Sequence, residues 1–346
     1  MINQLFILSL LLFFSLVLAW GFRVLPREGW QMLATLPIRP LGNGQWQGIN
    51  LTWYGLLTAN AYLLGILMLI VLLGAAHVPL TGVLLLVVCL LLLCVPASRW
   101  IARIIEGKAH TFTVGGAVFI GILAAPWMVK LVNFCTGDHL PVLTTLAAIS
   151  IAYAFGEGLG RLACISFGCC YGKPVSQCRP LLRELFSRWH FIFHGETRKI
   201  CYASDLEGEP VVPVQALTAI LYLLIGLLGI EFYLYGHFAA AFASVLLITQ
   251  LWRFFSEFLR ADFRGNNKFS AYQIMGLLVI PYALLCAYFF NSAPTTHPDL
   301  LQGLQNLWQP ATLLFLQIVW LVLFAYTGRS TVTGAQLSFH IHRDRI

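Results

Sequence analysis

Long apolar segments separated by short polar ones run along the whole chain. Each apolar segment is uninterrupted, without the alternation typical of strands in a membrane barrel. A helix needs roughly 20 residues to cross the hydrocarbon core of a bilayer. The pattern therefore predicts nine membrane-spanning helices, near residues 4–22, 52–74, 79–96, 113–134, 142–166, 213–234, 237–258, 271–290 and 310–327.

A second interpretation of the first apolar segment is that it is a signal peptide. It lacks a basic start, and no clear small-residue cleavage site follows before Arg23. We therefore expect it to be an uncleaved first helix.

Composition agrees with a membrane protein and excludes a water-soluble one. Apolar residues make up 59% of the 346 residues and charged residues only 10%, whereas soluble domains carry about 25% charged residues. The net charge is +7, but no Lys/Arg run is dense enough to indicate nucleic-acid binding. The excess positive charge favours anionic lipid headgroups as partners.

Two polar segments interrupt the apolar pattern and suggest boundaries. Residues 24–50 are rich in Trp, Pro and Gly, and we expect them to form an interfacial loop after the first helix. Residues 172–212 are the longest hydrophilic stretch and carry both charge signs, which predicts a small extramembrane cap. We accordingly predict an N-terminal helix and loop over 1–50, a membrane core over 51–290 that contains the cap, and a C-terminal helix and tail over 291–346.

Ionisable residues in or beside membrane helices are costly and indicate functional sites. Glu157 and Arg161 stand at positions i and i+4, so they share a helix face and can pair. Glycines at 156, 158 and 160 allow another helix or a lipid headgroup to approach closely. Further glycines at 168 and 172 predict a tightly turned backbone where this helix ends.

A second charged group lies in the seventh apolar segment. Arg253, Glu257 and Arg260 are spaced i, i+4 and i+7, which predicts one common helix face. Guanidinium groups bind phosphate oxygens in bidentate fashion. Together with Arg161, this face predicts a pocket for the headgroup of an anionic phospholipid.

The nine cysteines are scattered and show neither CxxC pairs nor His-rich spacing, so their spacing predicts no metal site. Cys169 and Cys170 are adjacent and close in sequence to Arg161, whose charge is expected to lower a thiol pKa and favour a nucleophile. A disulfide from this pair to Cys178 or Cys201 is an alternative if the cap lies outside the cytoplasm.

Several stretches resemble, in order, motifs of the prolipoprotein diacylglyceryl transferase family, over roughly residues 50–290. They are Trp53-Tyr54-Gly55-Leu56, Gly160-Arg161-Leu162, Pro213-Val214-Gln215, Trp252-Arg253-Phe254-Phe255-Ser256-Glu257-Phe258-Leu259-Arg260 and Ser270-Ala271-Tyr272-Gln273. The resemblance implies an all-α polytopic membrane protein, with a seven-helix core, about one extra helix at each end and a small cap.

The family resemblance also implies an activity and a site. Its members transfer a diacylglyceryl group from phosphatidylglycerol to a cysteine thiol of a preprolipoprotein, without a metal or other cofactor. By this resemblance Arg161 and Arg253 bind the phospholipid headgroup, Glu257 and Arg260 form a supporting ion pair, and Tyr54 lines the pocket. Gly172 matches a loop glycine and Gln215 a polar residue at the base of the cap.

This chain departs from the family motifs at several polar positions. The His-Gly-Gly motif reads Val114-Gly115-Gly116, and the signature Asn and Glu are Cys164 and Cys169. The candidates for the base that a thiol acceptor requires are therefore His110, Glu157 or a thiolate of Cys169 or Cys170.

Three functions are consistent with these residues. The first is a lipid-modifying transferase of a bacterial inner membrane, which moves a diacylglyceryl group from an anionic phospholipid to a thiol or another acceptor, with the cap on the extracytoplasmic side. The second is a non-catalytic phospholipid-binding paralogue. The third is a membrane thiol-redox protein that uses Cys169 and Cys170. The retained arginines favour the first two over the third.

Overall fold

The computed structural model of the chain describes residues 1–107, 113–263, 269–291 and 297–346. Within these residues, nine helices are long and apolar enough to cross a membrane, which confirms the nine predicted spans. They are α1 (Ile2–Val24), α2 (Trp53–Ala75), α3 (Leu80–Glu106), α4 (Val114–Thr136), α5 (Val142–Phe167), α8 (Val214–Leu234), α9 (Phe238–Ser256), α10 (Ala271–Phe289) and α12 (Pro310–Thr327).

Three shorter α-helices are also present among the described residues. The cap, residues 172–212, contains α6 (Pro180–Arg188) and α7 (Lys199–Ser204), while α11 (Leu300–Leu307) packs beside the C-terminal end of α2. The spans alternate in direction, so the segments that connect them lie at the two ends of the bundle. We call the end that carries the cap the cap end, and the end that carries residues 137–141 the loop end.

A small antiparallel sheet lies at the cap end, where a loop was expected over residues 24–50. Strands β1 (Met32–Gly42) and β2 (Gln45–Thr52) form a hairpin, and β3 (Arg329–Ser338) pairs with β2. Asn43 and Gly44 connect the hairpin with positive φ angles of 52° and 74°. An Asn-Gly pair is the strongest local signal for such a turn. The expected loop is wrong over β1 and β2, because these residues pair as two strands.

Helix α5 is the central element of the bundle and packs against α2, α8 and α9. The predicted close approach at its glycines is confirmed. A Cβ atom at Gly156 would lie 3.4 Å from the carbonyl oxygen of Ala61 in α2, and one at Gly158 would lie 3.0 Å from Leu223 in α8. Small residues let helix backbones pack closely in a bilayer, so α5 is held between two neighbours.

The buried side chain of Arg198 ties the cap to the bundle. Its guanidinium donates hydrogen bonds to the carbonyl oxygens of His194 at 2.8 Å, Ile165 and Ser166 at 3.0 Å, and Leu25 at 3.0 Å, and also to that of Arg27. Burial lowers its pKa to about 10, so the group is still charged at neutral pH. This one residue therefore joins the C-terminal ends of α1 and α5 to the cap.

Candidate active site

An apolar chamber of about 330 Å³ lies inside the bundle, between α2, α3, α4, α5, α9 and α12. Most of its lining is aliphatic or aromatic. Polar groups gather on one part of the wall, where Glu157 and Arg161 of α5 lie with Tyr54 of α2 and Cys164. Apolar cavities of this kind suit hydrocarbon, and the few polar groups orient a ligand.

A charged triad forms beside this chamber. Glu157 accepts hydrogen bonds from Arg161, one helical turn away, and from Nη1 of Arg253, which lies 3.2 Å from each carboxylate oxygen. The predicted pairing of Glu157 with Arg161 is therefore present, and Arg253 joins the same carboxylate. The triad carries one net positive charge, and all three side chains are largely buried.

A second, polar pocket of about 20 Å³ adjoins the triad. Arg161 lines both spaces, while Arg253, Gln215, Glu257 and Arg260 line the polar pocket only. Its volume is about that of one water molecule, so a phosphate group enters only if side chains move. The fold thus brings five of the predicted binding residues to a single pocket.

The predicted single helix face for Arg253, Glu257 and Arg260 is wrong. Helix α9 ends at Ser256, the next three residues form a 3₁₀ turn, and Arg260 has an extended backbone that bridges to Gly172. Arg253 instead pairs with Glu157 on α5. The three residues still reach the same pocket, because the chain turns back over it.

The expected ion pair between Glu257 and Arg260 is present, with a third member. Nη1 of Arg260 lies 3.3 Å from Glu257, and Nε and Nη2 donate to the two carboxylate oxygens of Asp262 at 2.8 and 2.7 Å. Burial opposes the charged form of Arg260, but Asp262 and Glu257 outweigh it and raise the pKa of Arg260. Ser270 also donates to Glu257 at 3.2 Å.

Two buried polar atoms beside the pocket have no hydrogen-bond partner among the described residues: Nε of Arg161 and Oε1 of Gln215. The Nε2 atom of Gln215 donates to the carbonyl oxygen of Cys169 at 2.9 Å, which fixes the amide orientation, because a carbonyl only accepts. One unsatisfied donor and one unsatisfied acceptor therefore lie beside the same space. A water molecule, or a ligand with both an acceptor and a hydroxyl donor, would satisfy them.

Three thiols gather where α5 ends. Gly168 adopts a left-handed backbone with φ of +68°, and the amide of Cys169 bonds to the carbonyl of Cys164 at 3.0 Å. The Sγ atoms of Cys164, Cys169 and Cys170 lie within 4.8 Å of one another. None of the nine cysteines forms a disulfide in the structure, which contradicts the disulfide alternative for Cys178 and Cys201.

The surroundings of Cys169 do not favour the expected thiolate in the free thiol cluster. Hydrogen bonding to Cys164 and Cys170, together with burial, raises the pKa of Cys169 well above its ordinary value. The proximity of Arg161 in sequence does not translate into a lowered pKa, because the thiols chiefly face one another.

Gly172 bridges to Arg260 of the polar pocket, and the substituted position Val114 belongs to the apolar chamber. A Cβ atom at Gly172 would lie 2.3 Å from the carbonyl oxygen of Val212, so only glycine permits this approach. Val114, which replaces the family histidine, lies on the wall of the apolar chamber. His110, the other candidate base, lies outside the described residues.

Three site residues were not predicted from the sequence: Tyr153, Tyr222 and Asp262. Tyr153 lines the chamber and donates to Tyr222 at 3.3 Å, and Tyr222 donates to the carbonyl of Thr249 at 3.1 Å. Tyr153 stands four residues before Glu157, so the spacing i, i+4, i+8 and i+11 from Tyr153 to Cys164 marks one polar stripe of α5. Asp262, the third, has no comparable signal, since only the turn after α9 brings it to Arg260.

The fold and this site define a multi-pass membrane protein in which an arginine-lined pocket adjoins an apolar chamber. The model of the prolipoprotein diacylglyceryl transferase family matches residues 45–289. The chain belongs to this family, as the motif resemblance implied, and the family is one of membrane transferases. Among curated proteins, none matches the chain by sequence.

Proposed function

We propose that the protein transfers a diacylglyceryl group from an anionic phospholipid, phosphatidylglycerol, to an acceptor thiol. The observation that supports this most is the position of the Arg161–Glu157–Arg253 triad between an apolar chamber and a polar pocket. The acyl chains occupy the chamber, and the phosphate lies at the two guanidinium groups. A net positive site favours an anionic over a zwitterionic headgroup.

In the proposed reaction, the acceptor sulfur forms a bond to the terminal glycerol carbon of the diacylglyceryl group. The bond from that carbon to the phosphate oxygen breaks, and its electron pair leaves with glycerol phosphate. The thiol proton is released to solvent. Arg161 and Arg253 stabilise the negative charge that develops on the leaving phosphate.

Glu157 acts as a positioning residue in this proposal, rather than as the base. Both of its oxygens accept hydrogen bonds from Arg253, and Oε1 also accepts from Arg161, so it holds the guanidinium groups in place before lipid enters. The small volume of the polar pocket requires the arginines to move as phosphate arrives. Phosphate oxygens then take over hydrogen bonds that the carboxylate made. The unpartnered Oε1 of Gln215 accepts from a headgroup hydroxyl.

The test uses purified protein in phosphatidylglycerol nanodiscs with a cysteine-containing lipobox peptide. We expect glycerol phosphate release and a lipidated peptide detected by mass spectrometry. Arg161→Gln and Arg253→Gln should each lower the rate at least about 100-fold, whereas Arg103→Gln, at an exposed position of α3, should not. Equal rates in all three variants would contradict the proposal.

A non-catalytic lipid-binding protein is the second candidate, and Val114 favours it, because this residue places a hydrocarbon side chain where the family has a histidine. The same experiment separates the two functions. Saturable binding of labelled phosphatidylglycerol that depends on Arg161 and Arg253, without any glycerol phosphate release, would support the non-catalytic candidate.

We also propose the orientation in a bacterial inner membrane, and here the charges oppose the expected extracytoplasmic cap. Among the described residues outside the triad, the cap end has Arg23, Arg27 and Arg39, two arginines that end α3, six basic residues in the cap, Arg260, and three in the C-terminal segment. The described residues of the loop end contain a single Lys or Arg, Lys130. Basic residues concentrate on the cytoplasmic side, which favours a cytoplasmic cap and a thiol acceptor presented from that side.

Two exposed positions test this orientation. Cys135 ends α4 at the loop end, and Leu181 lies on the cap surface. A membrane-impermeant maleimide should label Cys135 in intact cells. In a Cys135→Ser background, it should label Leu181→Cys only after lysis. The opposite pattern would restore the extracytoplasmic cap and, with it, a secreted preprolipoprotein as acceptor.

A further inference from the structure

The three thiols at the end of α5 are close enough together to bind one metal ion. The Sγ atoms of Cys164, Cys169 and Cys170 lie within 4.8 Å of one another. Zinc–sulfur bonds of about 2.3 Å in a tetrahedral site separate the sulfur atoms by about 3.8 Å. Closing the cluster around an ion therefore requires side-chain shifts of about 1 Å or less.

The backbone is shaped to bring these thiols together. The turn at Gly168 folds the amide of Cys169 back onto the last turn of α5, and Cys170 then adopts a left-handed conformation with φ of +55°. Residues other than glycine rarely adopt this conformation. Strained backbone of this kind clusters at functional sites. The arrangement converts a C-x₄-C-C spacing, which by itself indicates no metal, into three convergent ligands.

The number of ligands distinguishes two kinds of zinc site. Structural sites are closed by four protein ligands, whereas catalytic sites have three and leave one position open. Among the described residues, the cluster contains three thiols without a fourth Cys, His, Asp or Glu. Thiolates are soft ligands suited to zinc. The donor set therefore corresponds to an open, catalytic type of site.

The position of the cluster relates it to both cavities. Cys164 lines the apolar chamber, Cys170 lines the arginine pocket, and Arg161 lines both. A zinc ion with three thiolates carries one net negative charge, which the adjacent Arg161 compensates. The cluster thus lies at the junction where the bond between the glycerol carbon and the phosphate is placed in the proposed function.

We propose that Cys164, Cys169 and Cys170 bind Zn²⁺ through three thiolates and that the open fourth position takes the acceptor thiol. The second part rests on the proposed function. A zinc-bound thiol loses its proton to solvent on binding, so the acceptor arrives as a thiolate without the family histidine, which is Val114 here. Its sulfur then bonds to the glycerol carbon, glycerol phosphate leaves with the electron pair of the broken carbon–oxygen bond, and the thioether product dissociates from zinc.

The first test measures metal binding, independently of transfer. Full-length protein purified with reduced thiols in metal-free buffer is titrated with Zn²⁺ against a chromophoric chelator. We expect one Zn²⁺ per chain in the wild type and in Cys135→Ser, which removes an exposed thiol elsewhere. Cys164→Ala and Cys169→Ala should lose stoichiometric binding.

A second measurement uses the wild-type chain, so a misfolded variant cannot obscure the result. Zn²⁺ should protect Cys164, Cys169 and Cys170 from alkylation, as read by mass spectrometry, and leave the labelling of Cys135 unchanged. Co²⁺ should give the visible spectrum of a tetrahedral thiolate site, and an added cysteine peptide should shift it. The zinc site would be overturned by the absence of stoichiometric Zn²⁺ binding, by binding of Cu⁺ in place of Zn²⁺, or by equal alkylation with and without Zn²⁺.

The outcomes separate the two proposals. Stoichiometric zinc without lipid transfer supports the metal site and contradicts the proposed transferase. Transfer that proceeds at the same rate in metal-free protein overturns the role of zinc and leaves the transferase intact. A Co²⁺ spectrum that the peptide does not alter overturns the open position for the acceptor.

Discussion

Replacing Arg198 should separate the cap from the membrane bundle. Its guanidinium donates to five backbone carbonyl groups, four of them at 2.8 to 3.0 Å. Each hydrogen bond from a charged donor contributes about 1.5–3 kcal/mol, but the burial of the cation costs several kcal/mol. Arg198→Met leaves these backbone carbonyl groups without their donor, and each buried group left unsatisfied costs about 1–3 kcal/mol. We therefore expect the variant to lose at least about 3 kcal/mol of unfolding free energy.

The control variants distinguish a lost charge from a lost hydrogen-bond geometry. Arg198→Lys preserves the charge, but an ammonium group has three donors and no planar fork, so it should recover only part of the stability. Arg188→Met, at an exposed position of α6, should change stability by about 0.5 kcal/mol or less.

The assay is unfolding of the purified protein in detergent, together with the rate of protease cleavage in the cap. Arg198→Met should unfold earlier and be cut faster between residues 172 and 212. It should also lose lipid transfer, because Arg198 bonds to the carbonyl groups just before the Cys169–Cys170 turn. If Arg198→Met and Arg188→Met unfold alike, the assignment of Arg198 as the link between cap and bundle is refuted.

Two further substitutions test the site. Glu157→Gln leaves two buried guanidinium groups without their shared carboxylate, so we expect it to lower the unfolding free energy by about 3–5 kcal/mol and to abolish lipid transfer. The control Glu231→Gln, at the end of α8, should unfold like the wild type. Equal stability of the two variants would show that the triad does not form. Gly172→Ala places a Cβ atom 2.3 Å from the carbonyl oxygen of Val212, so unfolding should report a loss of about 1–3 kcal/mol, while Gly29→Ala, where no atom lies within 4 Å, should be neutral. An unaffected Gly172→Ala variant would contradict the close approach of Gly172 to Val212.

Local sequence signals predicted the parts of the site that belong to one helix. Glu157 and Arg161 are one turn apart on α5, and the fold pairs them as expected. The partnership of Arg253 with Glu157 was not predictable, since it joins two helices 96 residues apart. The same limit explains Asp262, which reaches Arg260 only because α9 ends before it.

The sheet shows the same division between local and distant information. Asn43-Gly44 is a local turn signal, but the Trp, Pro and Gly content led to the prediction of a loop, and the hairpin was not predicted. Strand β3 pairs with β2 from nearly 300 residues away, and no local pattern carries such a pairing.

The apolar pattern by itself determined the nine membrane-spanning helices, because lipid requires every spanning segment to satisfy its own backbone hydrogen bonds. The motifs determined the family, and the retained arginines predicted the headgroup pocket. Only the tertiary structure decided which charges share a carboxylate, which end of the bundle carries the basic residues, and that Cys164 joins the Cys169–Cys170 pair. The physical reason is that the first set depends on neighbours within a helix, whereas the second depends on how α5 packs, turns at Gly168 and meets the cap.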